Sequence, residues 1–225
     1  MATLVQVVGQ SGSGKTTAIR NLNPDTTFLI NSDEKDLPIR GWETLYSKEK
    51  GNYATVSKVK EVLDIFRDLL KKDCKIKTVI IDTVNRIMTN KVMEERNIDG
   101  YKKWADLSGN IYDLMTIIKR QLPPDIVVFA LFHEDIFFSE EGIRIRRIAT
   151  EGQQLKRINL ESMSAIVLFT RIEPSSDRKV APSKYFLQTQ SDGFSTGKTP
   201  MGMFKDFEIP NDYNLVLTAI NEYNK

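Results

Sequence analysis

Leu4-Val5-Gln6-Val7-Val8 followed by Gly9-Gln10-Ser11-Gly12-Ser13-Gly14-Lys15-Thr16-Thr17 is the stretch that decides the fold. The first five residues form a short apolar run closed by a glycine, the pattern of a buried strand. Gly9 to Thr16 fits G-x-x-x-x-G-K-[ST] at every fixed position. Lys15 to Asn21 predicts the opening of a helix. Between strand and helix, the glycines let successive backbone N–H groups turn inward as an anion-binding nest. The helix adds the positive end of its dipole. The stretch therefore predicts a nucleoside triphosphate cradled by Gly9, Ser11, Gly12, Ser13, Gly14, Lys15, Thr16 and Thr17. Lys15 would reach the β- and γ-phosphates, and the Thr16 hydroxyl would hold Mg²⁺.

Outward from this motif, strands alternate with helices. Thr26 to Asn31, Ile76 to Asp82, Ile126 to Phe132 and Ala165 to Thr170 read as buried strands. Tyr185 to Gln190 suggests a sixth, and Glu43 to Tyr46 a short one. Val59, Val62, Leu63, Phe66, Leu69 and Leu70 recur at helical spacing from an N-cap at Ser57 to Lys71-Lys72. Trp104 to Gln121 and Asn211 to Tyr223 predict two more helices. Residues 84 to 100 are polar and partly basic and read as loop. Residues 136 to 148 read as a late β-hairpin, and 173 to 184 as a mobile loop. The pattern predicts an α/β fold over residues 1–225, a single domain with a mostly parallel central sheet and helices on both faces.

A magnesium site needs a second anchor, and Thr78-Val79-Ile80-Ile81-Asp82 ends an apolar strand in a carboxylate. Hydrolysis needs a group to orient water. Glu34 is the first candidate and Asp33 the second, both at the tip of the second strand; an ordinary charged loop is the alternative. His133, the one histidine, follows a buried strand at the sheet edge where α/β folds bind ligands. It is a candidate contact for the γ-phosphate, or plain surface.

The 225 residues suffice for one sizeable core. A formal net charge of +2 and a pI of about 8.5 are too mild to argue nucleic-acid binding from charge alone. One cysteine, Cys74, excludes an intrachain disulfide and a cysteine-based structural zinc site. No apolar run spans a membrane, no signal peptide is evident, and the first strand starts almost at Met1. A cytoplasmic protein with no membrane partner and no domain before the cradle is expected.

Three later segments carry a resemblance together with the cradle and Val79-Ile80-Ile81-Asp82-Thr83. They are Val128-Phe129-Ala130-Leu131-Phe132-His133-Glu134, Glu151-Gly152-Gln153-Gln154-Leu155, and Ser195-Thr196-Gly197-Lys198-Thr199-Pro200-Met201-Gly202-Met203-Phe204. With these the chain resembles the RecA-like P-loop ATPase core. It is most similar to the short phage-encoded RecA-like single-strand annealing proteins, often described simply as phage nucleotide-binding or AAA-domain proteins. The resemblance implies an ATPase using ATP and Mg²⁺, with Lys15, Glu34, Asp82 and His133 as catalytic residues. Thr16 and Asp82 would hold the metal. RecA itself has glutamine at the place of His133. The family's catalytic glutamate follows the strand next to the P-loop strand, which points to Glu34.

The resemblance further implies a homo-oligomer with nucleotide at the subunit interface, where Lys198 would contact phosphate in trans. A phage-encoded protein would work in the host bacterial cytoplasm. It also implies single-stranded DNA as partner, gripped by loops after the Asp-bearing and sensor strands. The basic residues there are Lys102 and Lys103, then Arg144, Arg146 and Arg147. In a strand, Arg144 and Arg146 share a face, and Ile143, Ile145 and Ile148 are read as the opposite, apolar face. A solvated hairpin face is the bland alternative for these cations, and a solvated turn for Lys198. The leading expectation is a DNA-stimulated ATPase of phage-type recombination. A small-molecule or nucleotide kinase and a nucleotide-gated assembly protein without DNA are the competing classes.

Overall fold

Strand β1 (Thr3–Val8) lies at the heart of an eight-stranded sheet, flanked by parallel neighbours on both sides. A computed structural model describes residues 1–71, 74–98, 100–176 and 182–225. The further strands of the main sheet are β2 (Thr27–Asn31), β3 (Tyr53–Ala54), β4 (Thr78–Asp82), β5 (Val127–Phe132), β8 (Ile166–Glu173), β9 (Lys184–Gln188) and β10 (Glu208–Pro210). Their order is β10-β9-β8-β1-β5-β4-β2-β3, parallel from β8 to β3 and antiparallel at β9 and β10. The register sets Val8 beside Phe132 and Phe169, and Asn31 beside Asp82. The strand ends that carry polar residues thus line up along one edge. Strands β6 (Glu134–Phe138) and β7 (Arg144–Ile148) form a separate antiparallel hairpin directly after β5.

Period-two alternation divides the strand residues between two cores. Val8, Ile30, Ile81, Ala130 and Val167 pack under helices α2 (Val59–Leu69), α3 (Val84–Glu94), α4 (Lys102–Gln121) and α5 (Gly152–Ile158). Val7, Leu29, Ile80, Phe129 and Leu168 pack under a 3₁₀ turn (Thr17–Asn21), α1 (Trp42–Leu45) and α6 (Tyr213–Tyr223). Phe129 stacks on Tyr213 with ring centroids 4.6 Å apart. Full burial of each such side chain contributes about 1.5–3 kcal/mol, so the sheet is held from both sides. The α/β architecture with helices on both faces and a late hairpin is as expected.

Four local readings change. The segment from Trp42 is one helical turn rather than a strand, because Trp42, Leu45 and Tyr46 face one core at i, i+3, i+4 spacing. The short edge strand comes later, at Tyr53–Ala54. Residues 84–94 form a helix rather than a loop: the Thr83 hydroxyl accepts from the Arg86 N–H, and Val84, Ile87 and Met88 are buried at helical spacing. The helix after the cradle is only a 3₁₀ turn, ended by extended Leu22. Pro24 disfavours helical backbone at Asn23. Helix α2 is capped at Lys58 rather than Ser57, with the Glu61 carboxylate accepting from both backbone N–H groups. Lys72, and residues 177–181 of the expected 173–184 loop, lie outside the described residues.

Candidate active site

The cradle forms where β1 gives way to the 3₁₀ turn, and its shape depends on what surrounds it. A Cβ on Gly9 would stand 1.7 Å from Thr170 Oγ1, so no side chain fits where β8 closes on the loop. Thr170 Oγ1 in turn donates to Ser13 Oγ at 2.8 Å. Gly14 has φ +88, and a Cβ there would meet Asn211 Nδ2 at 2.5 Å. The motif glycines therefore answer to packing by β8 and by the chain after β10, besides their role in turning N–H groups inward.

Lys15 is 6% exposed, and its ammonium donates to the carbonyls of Gly9 and Gln10, both at 2.8 Å. Burial lowers its pKa, against the pull of Asp82, Asp33 and Glu134. A cation held only by neutral carbonyls of its own loop gains charge-assisted partners when phosphate oxygens arrive. The Thr16 hydroxyl donates to Asp82 Oδ2 at 2.5 Å. Asp82 is 5% exposed. Burial raises its pKa, with Asp33 adding; the Thr16 hydrogen bond and Lys15 oppose. A desolvated carboxylate paired with a hydroxyl at a cavity wall is the hard-oxygen donor set that suits Mg²⁺. No group of three or more His, Cys, Asp or Glu among the described residues could hold a metal by itself. A magnesium ion here would take its other ligands from phosphate and water.

These residues line one cavity of about 660 Å³, with Ser11, Gly12, Gly14, Thr17, Arg20, Asp33, Lys35, Thr83, His133, Tyr185, Pro210 and Asn211 also on its wall. His133 is held by its backbone: its N–H donates to Asn85 Oδ1 at 2.7 Å, and its carbonyl accepts from Ala149 N–H at 2.8 Å. Burial first, then the charge of Lys15, lowers its pKa. At neutral pH the imidazole is uncharged.

The tip of β2 separates the two acidic candidates. Asn31 folds residues 31–35 into a tight turn by accepting from Glu34 N–H and donating to the Lys35 carbonyl. Asp33 stands on the cavity wall, where its carboxylate accepts from Thr83 Oγ1 at 3.1 Å and pairs with Lys35 at 3.4 Å. Glu34, at φ +57, is exposed and is not among the lining residues. The strand argument for Glu34 also does not hold. β2 is separated from β1 by β5 and β4, and the residues that follow the adjacent strand β5 are His133 and Glu134.

Most of the basic hairpin is committed internally. Arg146 donates to Glu134 Oε2 at 2.7 and 3.1 Å and to the Thr170 carbonyl at 2.9 Å, with its guanidinium 5.0 Å from the Phe169 ring. Arg147 pairs with Asp135 at 3.3 Å and lies over Phe137. Ile148 shares the inward face with Arg146, since residues two apart point the same way, and it is buried; the hairpin does not split into one apolar and one basic face. Arg144 and Lys102 are exposed, and Lys103 lies over Trp104. Lys198 is exposed and exchanges backbone hydrogen bonds with Val167, away from the residues that line the cavity.

Sequence reasoning did not find Thr83, Asn85, Arg20, Tyr185 or Asn211. Thr83 and Asn85 follow the strand-end Asp82, a position that could have flagged them. Arg20, Tyr185 and Asn211 meet only through folding and carry no local signal.

The geometry defines a class, the P-loop α/β proteins with a mostly parallel central sheet. Within it, a family model described as "AAA domain" matches residues 2–201, and the chain belongs to that family. No curated protein matches the chain. Among solved structures, a KaiC-like protein from the hyperthermophilic archaeon Pyrococcus horikoshii OT3 is similar at 16% identity, covering 82% of this chain and 76% of that one, with a TM-score of 0.49. Among the described residues, no helix is long and apolar enough to cross a membrane.

Proposed function

We propose that the protein binds MgATP in this cavity and hydrolyses it. The observation that carries the reading is the meeting of Lys15, Thr16, Asp82, Asp33 and His133 on one wall, from four separate strand ends. Lys15 would leave its loop carbonyls for the β- and γ-phosphates. Thr16 and Asp82 would hold Mg²⁺, which neutralises charge on the phosphate oxygens when bound. Asp33 would orient the attacking water and accept its proton as the bond to the leaving diphosphate breaks. Positioned acid–base groups of this kind contribute about 10²- to 10⁴-fold. His133, uncharged and fixed by its backbone, would donate a hydrogen bond to the γ-phosphate and lose that partner after cleavage.

The partner of this activity is single-stranded DNA, in the manner of phage-type recombination proteins. Among the described residues, Arg144 on the hairpin and Lys102 and Lys103 at the start of α4 have no acidic partner and are available for phosphate contact. Lys198 does not line the cavity of its own chain, so it would contact phosphate only in an oligomer that places nucleotide between subunits. The test is phosphate release with and without a short oligonucleotide at low salt. Magnesium-dependent release, raised by DNA, is expected. No release in either condition contradicts hydrolysis. Unchanged release together with no oligonucleotide binding contradicts the DNA partner alone.

A further inference from the structure

Besides the phosphate and metal contacts, the cavity wall carries Arg20, Tyr185, Pro210 and Asn211. Asn211 organises this part of the wall. Its side-chain amide donates to the Gly14 carbonyl at 2.8 Å, its backbone N–H donates to the Tyr185 carbonyl at 3.1 Å, and its own carbonyl accepts from Arg20 Nη1 at 2.7 Å. Arg20 also donates to the Thr17 carbonyl. The Tyr185 ring is thereby held beside Gly14, close enough that a Cβ there would lie 3.1 Å from its Cδ1. Yet Tyr185 is 42% exposed. A half-exposed aromatic ring, a proline ring and a guanidinium pinned by backbone carbonyls stand beside a triphosphate cradle.

Flat π-surfaces and a guanidinium plane are the groups that hold a nucleobase by stacking. The geometry points to a purine-binding subsite in which the base of the bound nucleotide stacks on Tyr185, next to Arg20 and Pro210. This assignment rests on the triphosphate reading of the cradle and adds to it the part of the ligand that the P-loop motif does not specify. Stacking area decides the preference: the two-ring bases cover more of the tyrosine face than the one-ring bases. ATP and GTP should therefore bind more tightly than CTP and UTP.

The experiment measures dissociation constants of the full chain for MgATP, MgCTP and magnesium tripolyphosphate, in wild type, Tyr185→Leu and Tyr185→Phe. Loss of one base–aromatic stack corresponds to roughly 10- to 100-fold. Tyr185→Leu should weaken MgATP by that factor, level ATP with CTP, and leave tripolyphosphate within about twofold. Tyr185→Phe should restore ATP affinity, which separates stacking from misfolding. The proposal is overturned if Tyr185→Leu leaves ATP unchanged. It is also overturned if ATP and tripolyphosphate weaken in parallel, since Tyr185 would then only shape the cradle. A wild-type protein that binds neither ligand removes the triphosphate reading and this subsite with it.

Discussion

The edge of the main sheet and the hairpin beside it are both dense in charge, and they use it in opposite ways. At the edge, Lys15 and Asp82 converge on a cavity wall with neutral or hydroxyl partners that a ligand can replace or supplement, beside Asp33, which also pairs with exposed Lys35. In the hairpin, Arg146 and Arg147 are answered by Glu134 and Asp135 and laid over phenylalanine rings. The difference teaches that the number of charged residues in a segment says little about availability. What matters is whether the fold supplies the counter-charge. At the edge it leaves that to a ligand, and in the hairpin it supplies it from the paired strand.

Three substitutions can break or sharpen this contrast. Lys15→Ala should have the largest effect, weakening MgATP binding by more than about 100-fold, as expected when a charge-assisted phosphate contact in a desolvated site is lost. Calorimetric titration checks it, and the fold should survive, since Lys15 is bound only to its own loop. Arg146→Ala comes next and acts on stability. It strips the partner from Glu134, whose side chain is 5% exposed. Breaking a buried pair costs about 3–5 kcal/mol, and the partial exposure of Arg146 reduces that to about 2–4 kcal/mol. Urea denaturation reads it. Arg144→Ala, on the same strand, should change stability by less than about 0.5 kcal/mol while lowering affinity for single-stranded DNA. Equal destabilisation by the two would erase the contrast within the hairpin.

The smallest effect is the pH response of His133. Burial holds its folded pKa below the ordinary value of 6.5, so the neutral form is favoured and protonation opposes folding. The associated stability is fully present above the unfolded pKa and declines as pH falls below it. A bound γ-phosphate should draw the pKa back up, so binding takes up a proton and becomes a few-fold tighter as pH falls from about 7 toward 6. Comparison with His133→Gln removes the titration of the nucleotide itself. An identical pH slope in both proteins would remove His133 from the phosphate.

The alternation of apolar strands with amphipathic helices made the architecture legible before folding, because period two and period 3.6 leave distinct marks. The cradle and Asp82 were legible because their chemistry depends on local spacing and on a strand end. The α3 helix was not: its buried stripe of Val84, Ile87 and Met88 is interrupted by polar Asn85, Arg86 and Thr89. The choice between Asp33 and Glu34 was also hidden. Adjacent residues point apart, and the way the turn closes is fixed by the Asn31 side chain together with the Asp82 carbonyl and the Thr83 hydroxyl, which come from another strand end. The commitment of Arg146 to Glu134 depends on hairpin register, which the sequence leaves open until the turn is placed.

In the proposed mechanism the cavity hydrolyses the nucleotide, with Asp33 serving the water. Its most direct test is single-turnover phosphate release by Asp33→Asn and Glu34→Gln alongside wild type, at saturating MgATP. Asp33→Asn should bind nucleotide within about threefold of wild type and release phosphate at least about 100-fold more slowly, while Glu34→Gln stays within about threefold on both counts. A large loss in Glu34→Gln with Asp33→Asn unaffected would contradict the account.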